Sequence, residues 1–377
     1  MRYKKPKDNP IAQTVSFMIT EKCNLRCTYC YEENKKHITM DLDVAKDAVD
    51  YILNKPVKHD KGIFEFIGGE PLVEFDLMYD IIKYIDEKLI DLDHPWKNNR
   101  IYSITTNGTL FTDKIKEILK RNRNKLSVGI SLDGSKIAHD LNRKTVEGNG
   151  SYDKIMEDFD WWRKTFPWNN IKATVNHDTL PYLFESVKHL IDLGLDRIEI
   201  NNVFENVWTE DDPEIFKNQL IKLADYLIDT GLYEDIYVGY FTHLYNSDGE
   251  DLKYRNWCGS GTSMISIGIN GELYPCHRFQ TLSQRDNLAI GDIYNGIDQN
   301  KLKPFEYVNL QTIQGEYKKK CNECEYKKMC SWCTAYNYDV SGSIFRREGM
   351  FCDMVEAQYK ANKYFFEKIE EVENANQ

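Results

Sequence analysis

Ten cysteines are spread unevenly along 377 residues. Cys23, Cys27 and Cys30 fall within eight positions, and the other seven all follow residue 257. Cysteines used only for packing would be scattered singly, so the grouping points to metal or catalysis. Cys23-x3-Cys27-x2-Cys30 puts three soft thiolate ligands on one short loop, a set that suits an iron–sulfur cluster or zinc. Three is one short of a closed tetrahedral set. An iron–sulfur cube held this way keeps one iron open, whereas a zinc site would need His37 and a spacing unusual for zinc. The late cysteines run Cys258-x17-Cys276, then Cys321-x2-Cys324-x5-Cys330-x2-Cys333, then Cys352. Read alone, Cys321, Cys324, Cys330 and Cys333 also fit a zinc ribbon.

These loops need elements to aim them. Short β-branched runs predict strands at Thr14–Ile19, Gly62–Ile67, Ile101–Thr105, Leu126–Leu132, Ile171–Val175 and Arg197–Ile200. Between them, Asp41–Asn54 gathers Val44, Ala45, Ala48, Val49, Ile52 and Leu53 on one helical face. Phe75–Leu89 repeats that pattern, and Ser151–Thr165 and Leu180–Leu193 read as helices, the last broken near its start by Pro181. Strands alternating with helices predict an α/β fold with a parallel sheet. The polar motifs all follow strands: Cys23–Cys30, Gly68-Gly69-Glu70-Pro71, Thr106-Asn107-Gly108 and Ser131-Leu132-Asp133-Gly134. Four such loops at equivalent strand ends converge on one site best in a partial (β/α)6 TIM-like barrel.

Later the pattern changes: a helix near Pro213–Asp229, a hairpin at Ile265–Tyr274 turning at Asn270-Gly271, and a helix from Asp353 to about Val372. The expected organisation is an extension (1–12), the barrel (13–205), a bridging helical region (206–255), a small loop-rich cluster domain (256–352) and a C-terminal helix and tail (353–377). A small domain poor in apolar elements needs metal staples.

Forty-nine basic against sixty acidic residues give a net charge of −11, which argues against a nucleic-acid binder. The run Lys318, Lys319, Lys320 reads as solvated surface. No apolar stretch is long enough for a membrane, and MRYKKPKDNP lacks the core of a secretory signal, so a cytoplasmic protein with reduced thiols is expected.

Cys23-Asn24-Leu25-Arg26-Cys27-Thr28-Tyr29-Cys30 resembles the signature of the radical S-adenosylmethionine (SAM) enzymes, and Gly68-Gly69-Glu70-Pro71 looks like their methionine-binding motif. The resemblance implies a 4Fe-4S cluster on Cys23, Cys27 and Cys30 whose open iron chelates SAM. It also implies a 5′-deoxyadenosyl radical that takes a hydrogen from an unactivated carbon. It places Tyr29 beside the adenine and Ser131 and Arg143 at the ribose or carboxylate. Gly68, Gly69, Glu70 and Asn107 complete the implied SAM cradle, the glycines by letting backbone approach the ligand. Each has a plainer reading as well: a strand-to-helix turn, a core tyrosine, a surface arginine, an Asn-Gly turn.

The late cysteines resemble the auxiliary-cluster domain called SPASM, found on radical SAM enzymes that modify peptides and proteins. The resemblance implies one cluster on Cys321, Cys324, Cys330 and Cys352 and another on Cys258, Cys276 and Cys333. The x2 gap before Cys333 departs from the family's usual x3. Seven thiolates cannot close two cubes, and Gly259–Ile269 lacks the extra cysteine some members carry. A vacant iron beside Cys258, Cys276 and Cys333 would capture a substrate thiolate, unless His277 or Asp286 closes it.

The expected function is therefore thioether formation in a ribosomally made precursor peptide. Anaerobic sulfatase maturation is the alternative, with carbon–carbon crosslinking or epimerisation behind it. His277 stands where sulfatase maturases carry an aspartate base, and a histidine can take a proton near neutral pH. The expected partners are the peptide and an electron donor such as flavodoxin or ferredoxin; residues 1–12 are too few for a leader-recognition domain, which leaves a separate leader-binding protein, another surface of this chain, or little leader dependence. No nucleic acid or membrane partner is expected.

Overall fold

Strand residues here divide by parity. In β2 (Gly62–Gly68), Phe64 and Phe66 are buried while Ile63, Glu65 and Ile67 are half-buried, and β3 (Arg100–Thr106) and β4 (Leu126–Ser131) alternate likewise. Successive side chains on a strand point to opposite faces, so one face packs and the other lines an open polar lumen. Ser103, Lys172, Thr174 and Glu199 lie on the same parity as Glu65 in their strands. The computed structural model describes residues 12–32, 35–205, 207–242, 258–314, 321, 323–330, 332–347 and 350–375. The run Lys318–Lys320, most of the extension at 1–12 and residues 243–257 lie outside these.

The parallel sheet runs β1 (Gln13–Thr20), β2, β3, β4, β5 (Ile171–Val175), β6 (Arg197–Asn202), β7 (Tyr237–Val238). All six predicted strands form, each within two residues of its expected ends. The helices include α1 (Leu42–Leu53), α2 (Phe75–Asp91), α3 (Asp113–Arg121), α4 (Lys136–Asn142), α5 (Tyr152–Thr165), α6 (Leu183–Asp192) and α7 (Asp212–Asp229). Helix α1 buries Ala45, Ala48, Val49 and Leu53, the expected face, and Asp41 caps it by accepting from the Asp43 amide. Trp162 of α5 donates to the Val128 carbonyl at 2.7 Å, tying helix to strand.

The helix expected at Leu180–Leu193 is divided. Pro181 sits in a 3₁₀ turn, His177–Tyr182, and α6 starts only at Leu183. Proline has no amide to donate and clashes with the preceding turn, so the regular helix begins beyond it.

The late hairpin is continuous with the barrel sheet. Strand β8 (Met264–Ile267) pairs parallel with β1, and β9 (Glu272–Tyr274), β10 (Gly291–Asp292) and β11 (Gly296–Ile297) extend it antiparallel. Gly271 at the turn has φ +88°, a conformation that favours glycine. The C-terminal helix, Met350–Ala375, returns to the barrel: Phe365 stacks on Phe241 at 4.1 Å, and buried Asn362 accepts from the Thr242 amide and donates to the Tyr240 carbonyl. Among the described residues, no helix is long and apolar enough to cross a membrane.

Candidate active site at the carboxyl rim of the barrel

The loop after β1 carries Cys23, Cys27 and Cys30, and the loop after β2 is pressed against it. The Gly69 amide donates to the Thr20 carbonyl and the Glu70 amide to the Lys22 carbonyl, both at 2.9 Å. A side-chain carbon at Gly68, whose φ is +144°, would lie 2.1 Å from the Thr20 oxygen, and one at Gly69 would lie 2.3 Å from the Lys22 oxygen. The close approach that demands glycine is therefore to the cysteine loop's own backbone, where the sequence suggested a ligand.

Glu70 locks a third loop to these two. Its buried carboxylate accepts from the Asn107 amide (2.7 Å), the Thr106 hydroxyl (2.7 Å) and the Leu72 amide (3.0 Å). Burial raises its pKa, against the lowering effect of those donors. Asn107 then donates to the Asn24 side-chain oxygen at 2.8 Å, and Asn24 donates to Thr109 at 2.8 Å. Asn107 is thus more than a turn residue: it hydrogen-bonds into the cysteine motif itself.

Ser131 is buried at the end of β4, and two residues on, Asp133 organises the floor. Asp133 accepts from the Tyr29 hydroxyl (2.5 Å), from Arg143 Nε (2.9 Å) and Nη2 (3.1 Å), and from the Thr174 amide (2.9 Å). Arg143 is buried, not the surface residue of its plainer reading, and within the chain it makes a two-point carboxylate pair with Asp133. Burial would lower the Arg143 pKa, but Asp133 and Tyr29 outweigh it and keep the group charged. The Asp133 amide donates to His139 Nδ1, and Nε2 of that ring faces the Ser151 hydroxyl at 3.0 Å. Burial pushes His139 down to about 4.

The thiols form three sets. Burial raises Cys23 and Cys27, and Lys35 is near enough to all three sulfurs of the first loop that they keep its pKa up despite burial. Burial pushes Cys276 up to about 12, with the Cys333 and Cys258 sulfurs adding to it. Cys321, Cys330 and Cys352 surround Arg347, and Cys324 lies within reach of Cys321 and Cys330. Cys333 thus lies within reach of Cys258 and Cys276. Cys276, Cys321 and Cys330 are buried, Cys258 is exposed and the rest are half-buried; neighbouring thiolates need a cation to offset their charge, a chemistry that suits a metal group. Among the described residues, no three His, Cys, Asp or Glu side chains gather as tightly as one bound ion requires. Ligands on separate corners of a cube need not meet that spacing, whereas a tetrahedral zinc would.

His277 is half-buried against Tyr31, ring centroids 5.6 Å apart, and among the described residues its buried Nδ1 has no hydrogen-bond partner. Burial pushes it down to about 4, assisted by Arg278 and Lys172 and opposed by Glu65. Asp286 lies beside Arg285, at 3.6 Å. Sequence reasoning missed Asn24, Asp133, Glu65 and Arg347 as site residues. The first two sit inside motifs already singled out, and Glu65, which accepts from Ser16 at 2.7 Å, is the lone charge in an apolar strand.

A family model for the radical SAM superfamily matches residues 17–194. An uncharacterized protein of Methanocaldococcus jannaschii is 32% identical over 292 residues, covering 76% of this chain and 89% of its own length. The cysteine-type anaerobic sulfatase-maturating enzyme of Clostridium perfringens is 26% identical over 327 residues, covering 79% and 83%. The solved structure of anSMEcpe with bound AdoMet and Cp18Cys peptide matches with a TM-score of 0.74 at 22% identity, over 97% of this chain and 100% of that one. Streptococcus suis SuiB bound to its precursor peptide SuiA matches with a TM-score of 0.62 at 16% identity, over 91% and 76%. At these identities the structural matches establish the shared fold.

Proposed function

The chain belongs to the radical SAM superfamily and is an enzyme related to peptide- and protein-modifying maturases, and we propose that it joins a cysteine sulfur to carbon in a ribosomally made precursor peptide. The observation that carries this reading is the set Cys258, Cys276 and Cys333, gathered without a fourth cysteine in residues 259–269. His277 turns toward Tyr31 and Asp286 toward Arg285, which supports a coordination position left for a substrate thiol.

Cys23, Cys27 and Cys30 would hold the cluster that, with SAM, supplies radical hydrogen abstraction, and the late cysteines would hold clusters able to take up an electron. The chain's own residues do the positioning. Glu70, Asn107 and Asn24 fix the cysteine loop against the β2 and β3 loops. Tyr29, Ser131 and Arg143, with Gly68 and Gly69, form the cradle for SAM, and Asp133 holds Tyr29 and Arg143 in place. Ser16 holds Glu65 in the lumen, where the peptide would enter. The remaining assignments are a cytoplasmic location and a flavodoxin- or ferredoxin-type donor.

Similarity to the Clostridium perfringens enzyme favours a second reading, formylglycine formation on a sulfatase. Anaerobic turnover with SAM and reductant separates the two. A cysteine-rich precursor should lose two hydrogens with its thiols masked. An aldehyde on a sulfatase-derived peptide, with no crosslink on the precursor, would replace the first reading by the second.

A further inference from the structure

Each late thiol set has an arginine beside it, half-buried Arg278 at one and buried Arg347 at the other, and the two differ in their partners. Arg278, beside Cys333, is ion-paired with Glu205, so a carboxylate offsets its charge. Arg347 is 6% exposed, and among the described residues it has no carboxylate partner. Its fork is aimed at sulfur: Nη2 donates to Cys330 Sγ at 2.6 Å and Nη1 to Cys321 Sγ at 3.5 Å. The guanidinium also lies over the Trp332 ring, 5.8 Å from its centroid. A buried guanidinium without an anion is costly, and arginine stays charged at any accessible pH. The structure holds that charge against two thiols, so the group formed by those thiols must supply the negative charge.

Hydrogen bonds to cluster sulfurs and local net charge set iron–sulfur reduction potentials. A fixed cation favours the reduced form, which carries one more negative charge. A cation already neutralised by a carboxylate does so far less. We propose that Arg347 makes the cluster on Cys321, Cys324, Cys330 and Cys352 the more easily reduced of the two auxiliary sites. That set becomes the favoured resting place for an electron in the C-terminal region. This rests on the reading that the late cysteines carry iron–sulfur clusters. Arg347 acts here as a positioning residue, through the cysteines it contacts.

The test uses the full chain, reconstituted anaerobically with iron and sulfide, carrying Cys23→Ala, Cys27→Ala and Cys30→Ala so that only the late cysteines bind clusters. Iron and sulfide per chain are counted first, and the clusters are then titrated against potential by electron paramagnetic resonance. The more easily reduced signal should move to lower potential in R347Q, by about tenfold in its reduced-to-oxidised ratio, or about 59 mV for one electron. The other signal should stay in place. Full iron content with both signals unmoved would overturn the role of Arg347. Should R347Q lose iron, Glu205→Gln decides: freeing Arg278 of its carboxylate should raise the potential of the harder-to-reduce signal, and an unmoved signal would overturn the account of charge. Absence of iron in the parent with Arg347 intact would instead overturn the cluster reading itself.

Discussion

Cys23, Cys27 and Cys30 hang on a loop clasped by two neighbours, through Glu70 on one side and the Asn107–Asn24 contact on the other, all rooted in the ends of adjacent parallel strands. Cys321, Cys324, Cys330 and Cys352 stand among turns and the starts of short or terminal helices, with a buried guanidinium among them. In the first region, protein–protein hydrogen bonds position the thiols before any metal arrives. In the second, on the proposed reading, the thiolates and the arginine are balanced by the group they bind. The rim is held by its own hydrogen bonds, whereas that reading has the late region take its order from its ligand.

The sharpest way to break this contrast is to remove iron. Chelation under reducing conditions should leave amides of β1–β6 protected from hydrogen exchange and release those of residues 258–347. Equal loss in both regions would abolish the distinction. Next in size is Gly69→Ala, which puts a carbon against the Lys22 carbonyl and displaces the cysteine loop. SAM cleavage should fall about a hundredfold, the scale of a misplacement near 1 Å, with the late clusters intact. Asp133→Asn probes the floor. It leaves Arg143 buried without its anion, and chemical denaturation should show a loss of about 3–5 kcal/mol.

The smallest effect is a pH dependence. His139 has a folded pKa of about 4 against an ordinary 6.5, so the unfolded chain binds the proton more readily. Stability from this group is fully present above pH 6.5 and is lost as pH falls toward 4, by about 3 kcal/mol at most. The protonated ring could no longer accept from the Asp133 amide, so the floor should loosen over the same range. Replacing His139 with Asn should flatten the denaturation profile between those limits.

Much of the barrel was legible because its strands are bounded by turn residues and its longer helices bury a regular stripe. Helix α3 was not, since only Ile115 and Leu119 are buried in it. The pairing of β8 with β1 joins residues some 250 positions apart, and no local pattern announces it. At the site, the resemblance carried by the cysteine motifs implied the three thiol sets, but the side chains around them were harder to see. Asp133 reads as a turn residue until Arg143 and Tyr29 are brought to it, and Arg347 reads as a surface charge until Cys330 is found beside it. Arg143 and His277 show a related lesson: a residue's type suggests its chemistry, but burial and partners decide whether that chemistry is free.

The account rests most directly on SAM cleavage at the first cysteine loop. Anaerobically reconstituted protein given SAM and a one-electron reductant should release 5′-deoxyadenosine, and Cys23→Ala should abolish that release while retaining iron at the late cysteines. Protein that binds iron and sulfide fully yet releases none, or that takes up only zinc, would contradict it.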